Sequence, residues 1–137
     1  MTGFLIKTQN GQTIRFRLYN DTAPISAEAF SLALPFSKTF FHARVSGQEI
    51  WIEDAPLLDI LQENSSVFAE PGEIVIGPVK PARNKVAGFM GIFYGEGKLV
   101  DGANIFGKVI DEDLALLKTL GEKIWKQGAQ ELRFEKI

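Results

Sequence analysis

The side chains able to move protons or grip a ligand crowd into one stretch of this chain, His42, Arg44 and Glu49, with Trp51 close behind. A glutamate whose carboxyl is lifted toward neutral pH can work as a general acid, and Glu49 with His42 would make an acid–base pair. The same residues also admit plainer roles. Arg44 and Glu49 form a cross-strand ion pair if both are exposed, worth under ~1 kcal/mol. His42 sits among phenylalanines as a hydrogen-bonded packing residue, and Trp51 fills a core. Elsewhere, Asp111-Glu112-Asp113 reads as a helix start complementing the N-terminal dipole, because it lacks the spaced oxygen ligands that calcium needs. Gly95-Glu96-Gly97 reads as a turn, with neither a GxGxxG run nor a following helix to make a nucleotide loop. No Gly-x-Ser-x-Gly occurs, and a single histidine leaves a serine triad little room. With no cysteine, disulfides, thiolate nucleophiles and cysteine-based metal sites are excluded, and one histidine excludes a multi-histidine site. No cofactor and no metal are expected.

The elements that must position these residues are short. A chain of 137 residues, 45% hydrophobic and 23% charged, fits one domain, residues 1–137, and can bury roughly two-thirds of its unfolded surface. Fifteen basic against seventeen acidic residues, a net charge of −2, argue against a nucleic-acid surface. No basic stretch precedes an apolar run at the N-terminus and no window reaches membrane-spanning length, so the expectation is a cytoplasmic protein without membrane contact. Thr13 to Leu18 alternates with period two, placing Ile14, Phe16 and Leu18 on one face and solvated arginines on the other. Asn10-Gly11 turns it back on Phe4-Leu5-Ile6. Further strands are expected at 39–45, 49–53, 73–76, 86–94, 104–110 and 131–136. One helix runs from a capping Ser26 to a stop at Pro35. A second opens at Asp111 and carries Leu114, Leu117, Ile124 and a packed Trp125, with Gly121 interrupting it and Gly128 as its terminal cap. Eight strands with two helices, not in βαβ alternation, give a mainly antiparallel sheet or closed barrel with helices over its ends.

Three segments carry a family resemblance. Pro24-Ile25-Ser26-Ala27-Glu28-Ala29-Phe30 resembles the Pro-x-Thr-Ala-Glu-Asn-Phe opening of the first cyclophilin helix. Phe41-His42 with Gly47 resembles the cyclophilin Phe-His-Arg-x-x-x-Gly strand, and Asp101 to Val109 is similar to Asp-Gly-x-His-x-x-Phe-Gly-Lys-Val. A closer resemblance is to an uncharacterised bacterial family of small cyclophilin-like proteins, through His42-Ala43-Arg44-x-Ser46-Gly47, Trp51-Ile52, Pro71-Gly72-Glu73-Ile74 and Gly128-Ala129-Gln130. The resemblance implies a mainly β, cyclophilin-like closed eight-stranded β-barrel with two flanking α-helices.

The chemistry does not follow the fold automatically. An isomerase must lower a barrier of about 18–20 kcal/mol, which the family does with an arginine directly after Phe-His; that position is Ala43 here. The family's Phe-Met-x-Gln becomes Gln48-Glu49-Ile50-Trp51, and its later histidine becomes Asn104 or is deleted. Arg44 replaces the missing arginine only if a bulge re-aims it. The expectation leans away from an enzyme. If Ala43 faces the site, parity puts Glu49 and Trp51 beside it, with Val86 to Tyr94 as a second wall. The expected ligand site comprises Glu49, Trp51, Tyr94 and Asn104, with Arg44 or His42 at its rim, taking a small polar metabolite or a peptide. The alternatives are a prolyl isomerase, an acid–base enzyme using Glu49 and His42, and a self-associating structural module forming a homo-oligomer.

Overall fold

The computed structural model describes residues 2–80 and 84–137. Strand β1 (Gly3–Lys7) and β2 (Thr13–Leu18) pair antiparallel with Ile6 opposite Ile14, joined by a loop in which Gly11 takes φ +84. Helix α1 (Pro24–Ala33) follows, then β3 (Phe36–His42), β4 (Gly47–Ile52), β5 (Ser65–Phe68), β6 (Glu73–Ile76) and the long β7 (Met90–Val109). One 3-10 turn at Asp111–Asp113 leads into α2 (Leu114–Gln127), and β8 (Gln130–Lys136) completes the order. Pairings run β2-β1-β8-β3-β4-β7, and β7 returns to β2, closing a ring of six strands. β6 lies between two stretches of β7, with Ile74 opposite both Ile92 and Gly107, and β5 pairs with the outward loop of β7.

The barrel interior explains the phenylalanine-rich composition. Phe4 stacks on Phe16 at 4.9 Å, and Phe30, Phe106 and Phe134 complete a fully buried aromatic interior. Helix α1 inserts Ala27 and Phe30 into it, and α2 inserts Leu117, Leu120 and Ile124. A second, smaller cluster of Val75, Val86, Phe93, Leu99, Ala103 and Ile105 packs on the opposite face of the β6–β7 wall. Strand alternation sorts the two: Ile74, Ile76 and Ile92 point in, Val75 and Phe93 out.

Several local expectations are corrected. Ser26 does not cap α1, whose N-cap is Ala23 with Pro24 in the first turn; Ser26 instead ties the helix to the rest of the molecule. The strands expected at 86–94 and 104–110 belong to one continuous β7 that begins only at Met90, with turns at 85–88 ahead of it. Gly95 and Gly97 serve close approach, not a turn: a Cβ on Gly97 would fall 2.3 Å from the Ser46 carbonyl oxygen. β5 lacks a strong apolar alternation and went unexpected. Gly121 does not interrupt α2. Arg15 is not merely solvated, since its backbone N–H and guanidinium donate to the buried Asp113 carboxylate at 2.8–3.0 Å, anchoring the start of α2 to β2. No helix among the described residues is long and apolar enough to cross a membrane.

Candidate functional site

Strand β4 sets the site. Its inward residues Ile50 and Ile52 belong to the barrel core, so Glu49 and Trp51 face outward, opposite Phe93 and Gly91 of β7. The 43–46 connection between β3 and β4 folds over this face, with the Ala43 N–H donating to the Glu49 carbonyl at 2.9 Å. Together they bound a cavity of about 470 Å³. Ala43, Ser46, Glu49, Trp51, Phe89 and Gly91 form one side, and the smaller apolar cluster, through Val75, Val86, Leu99 and Ala103, the other. Trp51 and Phe89 meet with ring centroids 4.9 Å apart. Arg44 and Val45, both exposed, reach its edge.

Glu49 is the polar centre of this cavity. It is only 5% exposed, and Ser46 Oγ donates to its Oε1 at 2.5 Å. Burial pushes the carboxyl up to about 7, because a charge in this apolar surrounding loses its hydration, while the Ser46 hydroxyl pulls the other way. Gly91 makes the room: a Cβ there would lie 1.8 Å from Glu49 Oε2. The expected Arg44–Glu49 ion pair is not formed, and Arg44 has no ion-pair partner among the described residues.

The other expected site residues lie elsewhere. His42 and Tyr94 face the opposite way, toward α2. His42 Nδ1 donates to the Ala43 carbonyl at 2.7 Å, so its Nε2 accepts from Tyr94 Oη at 2.8 Å. Tyr94 is 4% exposed and packs against Gly121, where a Cβ would fall 2.1 Å from the ring. Burial, with Glu122 nearby, raises the Tyr94 hydroxyl above its usual value. These residues border a second cavity of about 480 Å³, which shares Ala43, Arg44 and Val45 with the first. Asn104 borders neither. Fully buried, it donates to Ser26 Oγ (3.0 Å) and the Leu61 carbonyl (2.9 Å) and accepts from the Glu63 N–H (3.1 Å), stitching α1 to the 61–63 segment. The structure therefore brings Glu49 and Trp51 together with Arg44 at their edge, sets His42 and Tyr94 on the second cavity, which Arg44 also borders, and places Asn104 on neither. An acid–base pair of Glu49 and His42 is not assembled in either cavity. Ser46 escaped sequence reasoning because only the 43–46 turn aims it at Glu49. Trp125, expected to pack, is 61% exposed with its ring 4.7 Å from that of His42.

Known proteins place this architecture. No curated protein matches the chain. Among solved structures it is similar to McbB in complex with tryptophan (TM-score 0.72, 21% identity, 97% of this chain and 44% of McbB), so it spans less than half of that protein. It is similar to a hypothetical protein of Archaeoglobus fulgidus (TM-score 0.65, 16% identity, 99% and 95% of the two chains). A cyclophilin type peptidyl-prolyl cis-trans isomerase of Cryptosporidium parvum, solved in the presence of the dipeptide Ala-Pro, also matches (TM-score 0.59, 19% identity, 98% and 96%). At these identities the likeness is one of fold, and the barrel is cyclophilin-like. A family model, described as "Protein of unknown function (DUF3830)", matches residues 6–136, and the chain belongs to that family.

Proposed function

We propose that the chain is a binding module whose Glu49 cavity takes a small molecule with an apolar or aromatic body and a cationic amino group, and that it does not isomerise prolyl bonds. The observation that carries this reading is a carboxyl buried among apolar side chains with, among the described residues, only the Ser46 hydroxyl to compensate it. Such a group gains most from a ligand that brings its own positive charge: at an effective dielectric of 20, an ion pair at 4 Å is worth about 4 kcal/mol. Trp51 and Phe89 suit the apolar body, and Arg44 at the edge suits a ligand that also carries a carboxylate. McbB, solved in complex with tryptophan, shares this fold over 44% of its length. Against isomerase chemistry stands Ala43 in the position of the family's arginine. Arg44, one residue on, lies beyond the end of β3, at the cavity's edge.

Calorimetric titration with phenylethylamine tests the reading. Affinity should rise as pH increases through about 7, where Glu49 ionises, and fall again as the amine loses its proton near pH ~10. Glu49→Gln should weaken binding at least tenfold at pH 8. Equal affinity in both proteins, or none in the wild type, refutes the proposal, as does an acceleration of proline isomerisation in a short peptide that Arg44→Ala abolishes. A second reading is favoured by the elevated Glu49 carboxyl alone: an acid–base enzyme in which Glu49 works without His42. Native mass spectrometry of protein purified from its host separates the two, since a binding module retains an unaltered small molecule.

A further inference from the structure

The second cavity lies on the other side of the 43–45 segment, whose Ala43, Arg44 and Val45 it shares with the first. Its walls come from the end of β3, the start of β4, Tyr94 of β7 and the last turns of α2. Helix α2 docks on the barrel through Leu117, Leu120 and Ile124, so its attachment does not require Trp125. That indole stays largely open to solvent at the cavity edge, with the His42 ring 4.7 Å from it. A large aromatic left open beside a preformed recess is a recurrent mark of a recognition surface.

The wall behind it is fixed. Both His42 nitrogens are engaged, one by the Ala43 carbonyl and one by the Tyr94 hydroxyl, so the imidazole presents a face and no free ligating atom. This rules the histidine out as nucleophile or metal ligand in this arrangement and leaves it as a rigid support for Trp125. The charges bordering the cavity are Arg44, Lys126 and Glu122. Neither cation has an ion-pair partner among the described residues; Glu122 precedes Lys126 by one helical turn without forming a bridge. Gln48 commits its Oε1 to the Glu96 N–H at 3.1 Å, which leaves its amide N–H2 as a donor. Donors therefore outnumber acceptors beside an open aromatic face.

The geometry points to a second ligand site here, for an aromatic carboxylate whose ring packs on Trp125 and whose anionic group meets Arg44 and Lys126. The site stands whether or not the Glu49 cavity binds an amine. Its test uses the wild-type protein labelled with ¹⁵N. The two tryptophans give two indole N–H resonances, and Trp125→Phe assigns them. Benzoate at constant ionic strength should move the Trp125 resonance saturably and leave that of Trp51 in place. Benzamide, the neutral isostere, should bind at least tenfold more weakly, and inorganic phosphate should not reproduce the shift. Lys126→Glu, on an exposed helix face, should weaken benzoate at least tenfold while the rest of the spectrum keeps its folded dispersion. The proposal is overturned if benzoate gives no saturable shift, if benzamide or phosphate matches it, or if folded Lys126→Glu binds benzoate as well as wild type.

Discussion

Replacing Glu49 by glutamine isolates the energetic consequence of burying that carboxyl. In the folded chain it holds its proton up to about pH 7, against an ordinary value of 4.5. The folded state therefore binds more protons than the unfolded state between those values, and stability falls as pH rises through that window. The contribution is full below about 4.5 and gone above about 7. At 1.36 kcal/mol per pH unit the difference amounts to about 3 kcal/mol. Glutamine keeps an oxygen to accept the Ser46 hydroxyl and has nearly the same shape, but it never ionises. Relative to wild type, Glu49→Gln should gain up to about 3 kcal/mol between pH 4.5 and pH 8, being the more stable protein at the alkaline end. Urea unfolding followed by far-ultraviolet circular dichroism at several pH values across this range reads the effect directly. Both chains share every other titrating group, so those contributions cancel in the difference. A difference that stays flat to within about 0.5 kcal/mol across the range would refute the reasoning, because it would mean the carboxyl is hydrated in the folded state.

Three further substitutions probe the supports of the two cavities. Gly91→Ala places a methyl group 1.8 Å from the present position of Glu49 Oε2, so the carboxyl must swing away; we expect a loss of about 1–3 kcal/mol in urea unfolding and a loss of amine binding together. Gly121→Ala, within α2, should gain about 1 kcal/mol from helix propensity alone. The added Cβ lies 2.1 Å from the Tyr94 ring, so thermal unfolding should instead show a lower midpoint and the His42–Tyr94 hydrogen bond should be lost. Asp113→Ala removes the acceptor for the Arg15 backbone and guanidinium and should cost about 1–3 kcal/mol near neutral pH. Arg15 holds the Asp113 carboxyl below its usual value, so this stabilisation is present above about pH 4 and is lost as pH falls through the lowered value; the gap between variant and wild type should close in acid.

The sequence made the barrel legible because its alternating strands and its helix-stop signals agree with one another. The β2 pattern, the Pro35 stop and the glycine at 128 each appear where expected. The site was half legible for the same reason. Parity along β4 places Glu49 and Trp51 on one face, and along β7 Gly91 and Phe93 alternate with Met90, Ile92 and Tyr94. Taken strictly, that alternation assigns Tyr94 to the barrel side, which is where its ring lies. What alternation could not give is the path of the 43–46 connection, which leaves the strand after His42 and so frees Arg44 and Ser46 from any two-residue rule. Asn104 was out of reach for another reason: its three hydrogen bonds join segments far apart in the chain.

In the binding-module proposal, the electrostatic sign of the cavity separates this chain from the isomerases whose fold it shares. Rotation about a prolyl amide is helped by a positive donor near the amide, and the family resemblance assigns that donor to the position of Ala43. Here the methyl group leaves the space open, and the charge-bearing group aimed into it from β4 is a carboxyl. A carboxyl accepts hydrogen bonds and, once ionised, repels the partial negative charge of a peptide carbonyl. On the proposed reading the preference of the recess is the inverse of an isomerase's, a ligand that donates in place of one that accepts. Gly91 fits this account, since any larger residue would expel Glu49 from the wall. So does the 5% exposure of Glu49, since a carboxyl with a clear route to water would be hydrated and would select nothing. The donor-bearing ligand proposed above is a partner that would let Glu49 stay ionised at neutral pH without leaving its place.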